Sequence, residues 1–152
     1  MAVDANTQLV EKVKRYEVAF PNLISVQADM FSMGFKDKTF DVAFSQGVLE
    51  HYCDDDIIRA LLEQRRIARI VVIDVPNERG KTGDYGDERS ISPFQWRKLI
   101  RTSGLTIVDE SARGIARWSE RHQKLLGWLE DSWLSRCFGE NSIFVCREVD
   151  KS

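Results

Sequence analysis

The sequence predicts a single α/β domain over residues 1–152, with helices packed on a mainly parallel sheet. Strand-like and helix-like segments alternate along the chain, which is typical of an α/β layered fold. Residues 69–75 (RIVVIDV) are rich in β-branched side chains, as expected of a strand that is buried on both faces of a parallel sheet. A length of 152 residues also suits one hydrophobic core, because domains of about 100–150 residues are the commonest.

The first half of the chain predicts three strands and two helices. The strands are assigned to residues 1–5, 23–28 and 40–45. Residues 7–18 carry apolar side chains at helical spacing, and Asn6 or Thr7 can cap this helix by accepting from its free first-turn N–H groups. The second helix runs from about Asp54 to Arg66, and its leading aspartates suit the positive end of the helix dipole. The sequence leaves open whether a short helix separates the second and third strands.

The second half predicts a long loop, two helices and two strands after the strand at 69–75. The polar loop spans residues 76–91, and the next helix opens with Ser92 as its cap and ends near Gly104. The remaining elements are a strand at 105–110, an aromatic-rich helix at 117–136 and a final strand at 142–149. If the aromatic helix forms an insertion over 117–139, the last two strands can pair antiparallel.

Composition excludes several classes of function. The 22 basic and 24 acidic residues nearly cancel, so no basic excess is present for binding nucleic acid. The apolar runs are far shorter than the roughly 20 residues of a membrane span, and the first residues contain no apolar signal segment. Cys53, Cys137 and Cys146 are widely spaced without a CxxC pair. We therefore expect reduced thiols in a cytoplasmic protein, with no metal site.

The ends of the predicted strands contain the candidate ligand-binding residues. In open α/β sheets, ligands bind beyond the carboxyl ends of the strands. Those ends carry Asp4, Asp29, the run 45–47 and the run 74–77, and three of the four present an acid. Acids at such positions also serve as turn formers, which is the competing interpretation of Asp4 and Asp29.

Several segments, in order, resemble class I S-adenosylmethionine-dependent methyltransferases of the small-molecule type. Residues 39–51 (TFDVAFSQGVLEH) resemble the fourth strand of that family, which opens with a Phe-Asp pair and precedes a "vleH" segment. Residues 1–15 resemble its second strand with a terminal acid, and residues 25–30 (SVQADM) resemble its third. Residues 89–108 resemble a later helix-glycine-strand unit. The resemblance covers roughly residues 1–112.

This resemblance implies a Rossmann-like, mainly parallel sheet with an antiparallel C-terminal strand, and S-adenosylmethionine as the cofactor. Asp4 would bind both ribose hydroxyls, since one carboxylate can accept two hydrogen bonds from a vicinal diol. Asp29 would lie near the adenine amino group, with Met30 against the ring. The full set of cofactor-binding residues that it implies is Asp4, Ala5, Asp29, Met30, Gln46 and Gly47. The expected reaction is methyl transfer to a small-molecule acceptor, with S-adenosylhomocysteine as the product.

The chain departs from the family pattern at its start. The family's first strand and the glycine-rich loop after it have no counterpart among the nine glycines, so the predicted sheet is incomplete at its N-terminal side. Three explanations are open: a truncated chain, direct pairing of the strands at 1–5 and 40–45, or a homodimer through the open sheet edges. The same gap supports an alternative function, that of a catalytically degenerate methyltransferase-like binding or dimerisation module. A dehydrogenase is a weaker alternative, because it too would need a GxGxxG loop.

The remaining candidates concern catalysis and the acceptor. His51 is a weak candidate for a general base, since an unperturbed histidine titrates near pH ~6.5, and packing over the sheet is the competing interpretation. Tyr85 and Arg89 lie in or near the long loop, where we expect contacts with the methyl acceptor. A solvated loop without ligand contacts is the alternative.

Overall fold

The computed structural model describes residues 1–78, 88–115 and 139–149. The chain divides into two compact units, residues 1–36 and residues 37–152, and the described strands form two sheets. The expectation of one domain over residues 1–152 stays a prediction. None of the described helices is both long enough and apolar enough to cross a lipid bilayer.

The first unit is a β-α-β motif. It comprises β1 (Ala2–Asp4), α1 (Thr7–Glu17) and β2 (Ser25–Gln27). The two strands pair in parallel, with Val3 opposite Val26. Asn6 caps α1, because its side-chain oxygen accepts hydrogen bonds from the backbone N–H groups of Gln8 and Leu9. The predicted cap and helix are therefore present, and both strands are shorter than predicted.

The second unit holds the larger sheet. Its elements are β3 (Phe40–Gln46), a 3-10 turn (Leu49–His51), α2 (Asp54–Ile67), β4 (Ala68–Pro76), α3 (Pro93–Thr102), β5 (Leu105–Ile115) and β6 (Gly139–Glu148). The strand order is β3-β4-β6-β5. Strand β4 is parallel to β3, whereas β6 runs antiparallel to both of its neighbours. This mixed sheet confirms the predicted α/β fold with an antiparallel C-terminal strand.

The structure settles one feature that the sequence left open, corrects a second and leaves a third outside its described residues. Between β2 and β3 the described chain contains an isolated bridge from Asp29 to Ser32 and no helix. Strand β5 extends to Ile115, five residues beyond the predicted end. Its added length pairs with β6, so tertiary pairing extends a segment whose residues have weak strand preference on their own. The aromatic helix predicted at 117–136 lies outside the described residues.

The hydrophobic core of the second unit lies where α2 and α3 pack on the sheet. Trp96 of α3 and Phe144 of β6 are the largest fully buried side chains among the described residues. On β4, Val71, Ile73 and Val75 alternate along one face and are buried. Strand β4 lies between β3 and β6, where its β-branched run predicted a strand. Its other face is less buried, since Ile70 is 40% exposed and Val72 is half-buried, so the expected burial on both faces holds only in part.

Strand β3 is at the edge of this sheet in the described structure. Its hydrogen-bonded neighbour is β4 on one side. Val42 is 51% exposed and Phe44 is 59% exposed, although both belong to a strand motif. The strands predicted at 1–5 and 40–45 belong to different sheets, so the described pairing does not support their direct union.

Candidate functional site

The two strand-end acids of the first unit each form a local turn. Asp4 follows β1, and its Oδ1 accepts a 2.7 Å hydrogen bond from the backbone N–H of Asn6. Asp29 lies beyond β2, and its Oδ1 accepts a 2.9 Å hydrogen bond from the N–H of Phe31. Both bonds span two residues, as in Asx turns. Both carboxylates are exposed, so each can still accept hydrogen bonds from a ligand through Oδ2.

The other two predicted contacts of this unit adjoin those acids. The carbonyl of Ala5 accepts a 3.2 Å hydrogen bond from Nε2 of Gln27, which joins the turn after β1 to β2. Met30 is half-buried and directly follows Asp29. Ala5 and Met30 thus sit beside the acids that the sequence assigns to the cofactor.

In the second unit, the carboxyl ends of β3 and β4 are joined by an amide and carboxylate network. Nε2 of Gln46 donates to Oδ2 of Asp74 at 3.1 Å, and Nδ2 of Asn141 donates to Oδ1 of the same carboxylate at 3.2 Å. The backbone N–H of Gly47 donates to the carbonyl of Asp74 at 3.1 Å. Asp74 is buried, so the two side-chain amides of Gln46 and Asn141 compensate for the water that its carboxylate loses. The network fixes the chain at the point where Gln46 and Gly47 leave the sheet.

Gly47 needs a backbone conformation that favours glycine. Its φ is +62°, in the left-handed region. Among the described residues, the atom within 4 Å of a Cβ built on Gly47 is Oε1 of Glu50, at 3.7 Å. The space beside Gly47 is therefore bordered by the carboxyl of Glu50.

Glu50 is the most unusual ionisable group of this region. The residue is 2% exposed, and its Oε2 has no hydrogen-bond partner in the described structure. Burial raises the pKa of this carboxyl above the ordinary value of 4.5, and the negative charges of Glu88 and Asp74 raise it further. Its own backbone N–H and the neighbouring His51 act on the pKa in the opposite direction. A buried, unpaired acid at a strand end is a marker of a binding or catalytic site.

His51 and Arg89 both make hydrogen bonds to other groups of the protein. His51 is half-buried in the 3-10 turn, where its N–H donates to the carbonyl of Val48 at 3.4 Å. The Arg89 guanidinium donates to the carbonyl of Tyr52 and to Oδ1 of Asp54, both at 2.6 Å. This interaction lowers the pKa of Asp54.

The backbone of Arg89 makes a further bond to the same turn. Its N–H donates to the carbonyl of Glu50 at 3.0 Å. Arg89 therefore joins the chain before α3 to the turn that carries Glu50. Tyr85, the other predicted acceptor contact, lies outside the described residues.

Sequence reasoning placed Gln46 and Gly47 at this strand end and included Asp74 among the strand-end candidates, but it did not assign Glu50 or Asn141 to the site. Asp74 was identifiable because it lies near the carboxyl end of the strongest predicted strand. Glu50 also had one, because it is an acid between the apolar Leu49 and a histidine. Asn141 had none, since its contact with Asp74 depends on the pairing of β6 with β4.

The chemistry of these groups fits S-adenosylmethionine. Two exposed carboxylates in the first unit can accept from hydroxyl or amino groups, and the orphaned oxygen of Glu50 lacks a donor that a ligand ammonium would supply. The described residues contain no group of three or more side chains suited to hold a metal ion.

Comparison with known proteins gives a family match for the first part of the chain. Residues 1–70 match the family model described as a methyltransferase domain. No curated protein matches the chain by sequence.

Solved structures match nearly all of the chain in fold. SpnF, described as a (4+2)-cyclase, superposes with a TM-score of 0.68 at 16% identity over 96% of this chain and 64% of its own. The mitomycin 7-O-methyltransferase MmcR gives 0.67 at 13% identity over 97% and 41%. The magnesium protoporphyrin IX methyltransferase ChlM from Synechocystis PCC 6803, solved with bound S-adenosylmethionine, gives 0.63 at 13% identity over 97% and 58%. The chain thus spans about two fifths to two thirds of the length of these proteins.

Proposed function

We propose that this chain, which has the fold of class I S-adenosylmethionine-dependent methyltransferases, takes part in S-adenosylmethionine-dependent methyl transfer to a small-molecule acceptor. The observation that carries the proposal is the family match over residues 1–70, which includes β1, β2 and β3 with the ends that the sequence assigned to the cofactor. The fold similarity over 97% of the chain to two methyltransferases supports it.

Each unit contributes its own part of the proposed cofactor-binding set. In the first unit, Asp4 would accept hydrogen bonds from the ribose hydroxyls, and Asp29 would accept from the adenine amino group, with Ala5 and Met30 beside them. The exposure of both carboxylates supports these roles, and the turn hydrogen bond that each carboxylate accepts uses Oδ1. In the second unit, Gln46 and Gly47 would flank the methionine part.

The proposed reaction makes modest demands on the protein. When bound, S-adenosylmethionine supplies a methyl group that its sulfonium already makes electrophilic. The chain then has to hold an acceptor atom in line and exclude competing water, and it needs a base only if that atom carries a proton. His51 is the candidate for that base, and Arg89 fixes the turn that carries it.

The class of acceptor follows from the charge of the chain. With 22 basic and 24 acidic residues, the chain has no basic excess of the kind that favours nucleic-acid substrates. A small molecule is therefore the proposed acceptor, in the cytoplasm and away from membranes.

The test is calorimetric titration of the chain with S-adenosylhomocysteine, followed by incubation with methyl-labelled S-adenosylmethionine and a panel of small hydroxyl- and amine-bearing acceptors. Saturable binding supports the cofactor assignment, and label in a small acceptor supports methyl transfer. If the folded chain binds neither S-adenosylhomocysteine nor S-adenosylmethionine at millimolar concentration, both the cofactor assignment and the proposed methyl transfer are excluded.

A second candidate function is a degenerate binding or dimerisation module. The observation that favours it is the edge strand β3, because an exposed apolar edge invites pairing with another strand. A fold relative described as a cyclase also shows that this fold serves other reactions. Light scattering distinguishes the candidates when combined with the titration: a dimer without cofactor binding, converted to a monomer by Phe44→Lys, would favour the module.

A further inference from the structure

The region around Gly47 contains a buried acid that the protein leaves without a hydrogen-bond donor. Oε2 of Glu50 has no partner in the described structure, and the residue is almost fully buried. A buried acceptor without a donor costs about 1–3 kcal/mol, and more when it is charged. Such a cost is expected where the group serves binding or catalysis rather than stability.

The position of Glu50 indicates what it faces. Its Oε1 lies 3.7 Å from the place that a Cβ on Gly47 would occupy, and apart from the two chain neighbours of Gly47 no other atom of the described residues lies within 4 Å of that place. Gly47 follows the carboxyl end of β3, the side on which open α/β sheets bind ligands. The carboxyl of Glu50 and the backbone of Gly47 therefore lie together at the ligand-binding end of the sheet.

The charges around Glu50 indicate the sign of the missing group. Among the described residues, Asp74 and Glu88 act on the carboxyl as like charges and His51 acts as an opposite one. Asp74 is itself buried and accepts from neutral amides, Gln46 and Asn141. A cationic donor would relieve the repulsion among these acids and supply the absent hydrogen bond.

We infer that Glu50 binds the ammonium group at the amino-acid end of S-adenosylmethionine. The inference rests on the proposed function, because Gln46 and Gly47, beside Glu50, are the residues assigned to the methionine part of the cofactor. An amine on the methyl acceptor would offer the same chemistry. The cofactor is favoured because Glu50 adjoins Gly47 in the very turn that the resemblance assigns to the methionine part.

The experiment compares two ligands on two forms of the protein. The ligands are S-adenosylhomocysteine and its analogue that lacks the α-amino group and keeps the carboxylate. Wild type and Glu50→Gln are titrated with each by calorimetry. Glu63→Gln is the matched control, since Glu63 is also a poorly exposed acid but pairs with Arg66 on the outer part of α2.

Glu50→Gln should weaken binding of S-adenosylhomocysteine about tenfold or more, the scale of a charge-assisted hydrogen bond, and should leave binding of the deaminated analogue within about twofold. Glu63→Gln should change neither affinity. Equal weakening for both ligands would overturn the inference and give Glu50 a merely structural role, and unchanged binding of both would also overturn it. If wild type binds neither ligand, the proposed function is contradicted, and the inference, which rests on it, is contradicted as well.

A second variant covers the case in which Glu50→Gln does not fold. Glu50→Asp keeps the charge and withdraws it by one methylene. Glu50→Asp should also weaken the binding of S-adenosylhomocysteine more than the binding of the deaminated analogue. Equal effects on the two ligands would contradict the ammonium contact.

Discussion

Replacing Glu50 by glutamine should stabilise the folded chain at neutral pH. The side chain keeps its size and one acceptor oxygen, and the substitution replaces the charged oxygen by a neutral amide, so the main difference between the two forms is the buried charge. Because Oε2 is unpaired in the described structure and the residue is 2% exposed, burying this carboxyl costs the folded state about 1–3 kcal/mol or more. We expect Glu50→Gln to recover about 1 kcal/mol at pH 7.5, which corresponds to a rise in Tm of about 2–4 °C for a chain of this size.

The gain should disappear in acid. Folding raises the pKa of Glu50 above 4.5, so the folded state favours the protonated carboxyl. The contribution of Glu50 to the stability of wild type is therefore fully present below the unfolded pKa and is lost as the pH rises through the folded pKa. Glu88, Asp74 and His51 are the ionisable groups that act on this carboxyl, and they are unchanged in the variant. The difference between the two forms should be large at pH 7.5 and small at pH 4.

Urea denaturation at both pH values measures this difference. Glu63→Gln is the control, because Glu63 forms an ion pair with Arg66 and its replacement should not stabilise the chain at pH 7.5. The reasoning is refuted if Glu50→Gln is less stable than wild type at pH 7.5, or if its gain is the same at pH 4.

Three further predictions follow from the described contacts. Asp4→Asn should keep the turn to Asn6 and still weaken the binding of S-adenosylhomocysteine by about 1–3 kcal/mol, as measured by calorimetry. Unchanged affinity would contradict the assignment of Asp4 to the ribose hydroxyls. Gly47→Ala and Gly34→Ala should each cost about 1–2 kcal/mol in urea denaturation because both glycines have positive φ, but only Gly47→Ala should impair ligand binding. Phe144→Ala should destabilise the chain by about 3–5 kcal/mol, since this ring is fully buried in β6, and a loss below 1 kcal/mol would contradict the described core.

The elements that the sequence predicted are those with strong local signals. The β-branched run at 69–75 became β4, and Ser92 with Pro93 began α3 as expected. The amide of Asn6 caps α1 as its residue type suggests. Strand β5 was predicted too short because its last residues owe their strand conformation to pairing with β6, which no local pattern reveals.

The site was predictable where it depends on strand ends and not where it depends on tertiary contacts. Asp4 and Asp29 became candidates because acids follow short strands; the structure shows that both form turns, and their role in binding stays a prediction. Arg89 was predicted to contact the acceptor, but its position shows bonds to Asp54 and to the turn at Glu50 that the sequence does not encode locally. The burial of Glu50 depends on the elements packed over it, so only the structure reveals its missing donor.

The central claim is that this chain binds S-adenosylmethionine through the strand-end residues of its methyltransferase fold. Calorimetric titration of the purified, folded chain with S-adenosylhomocysteine tests it most directly. The account predicts saturable binding in the micromolar range, with one ligand per chain. A flat titration at millimolar ligand, from a protein that shows a cooperative unfolding transition, would contradict it.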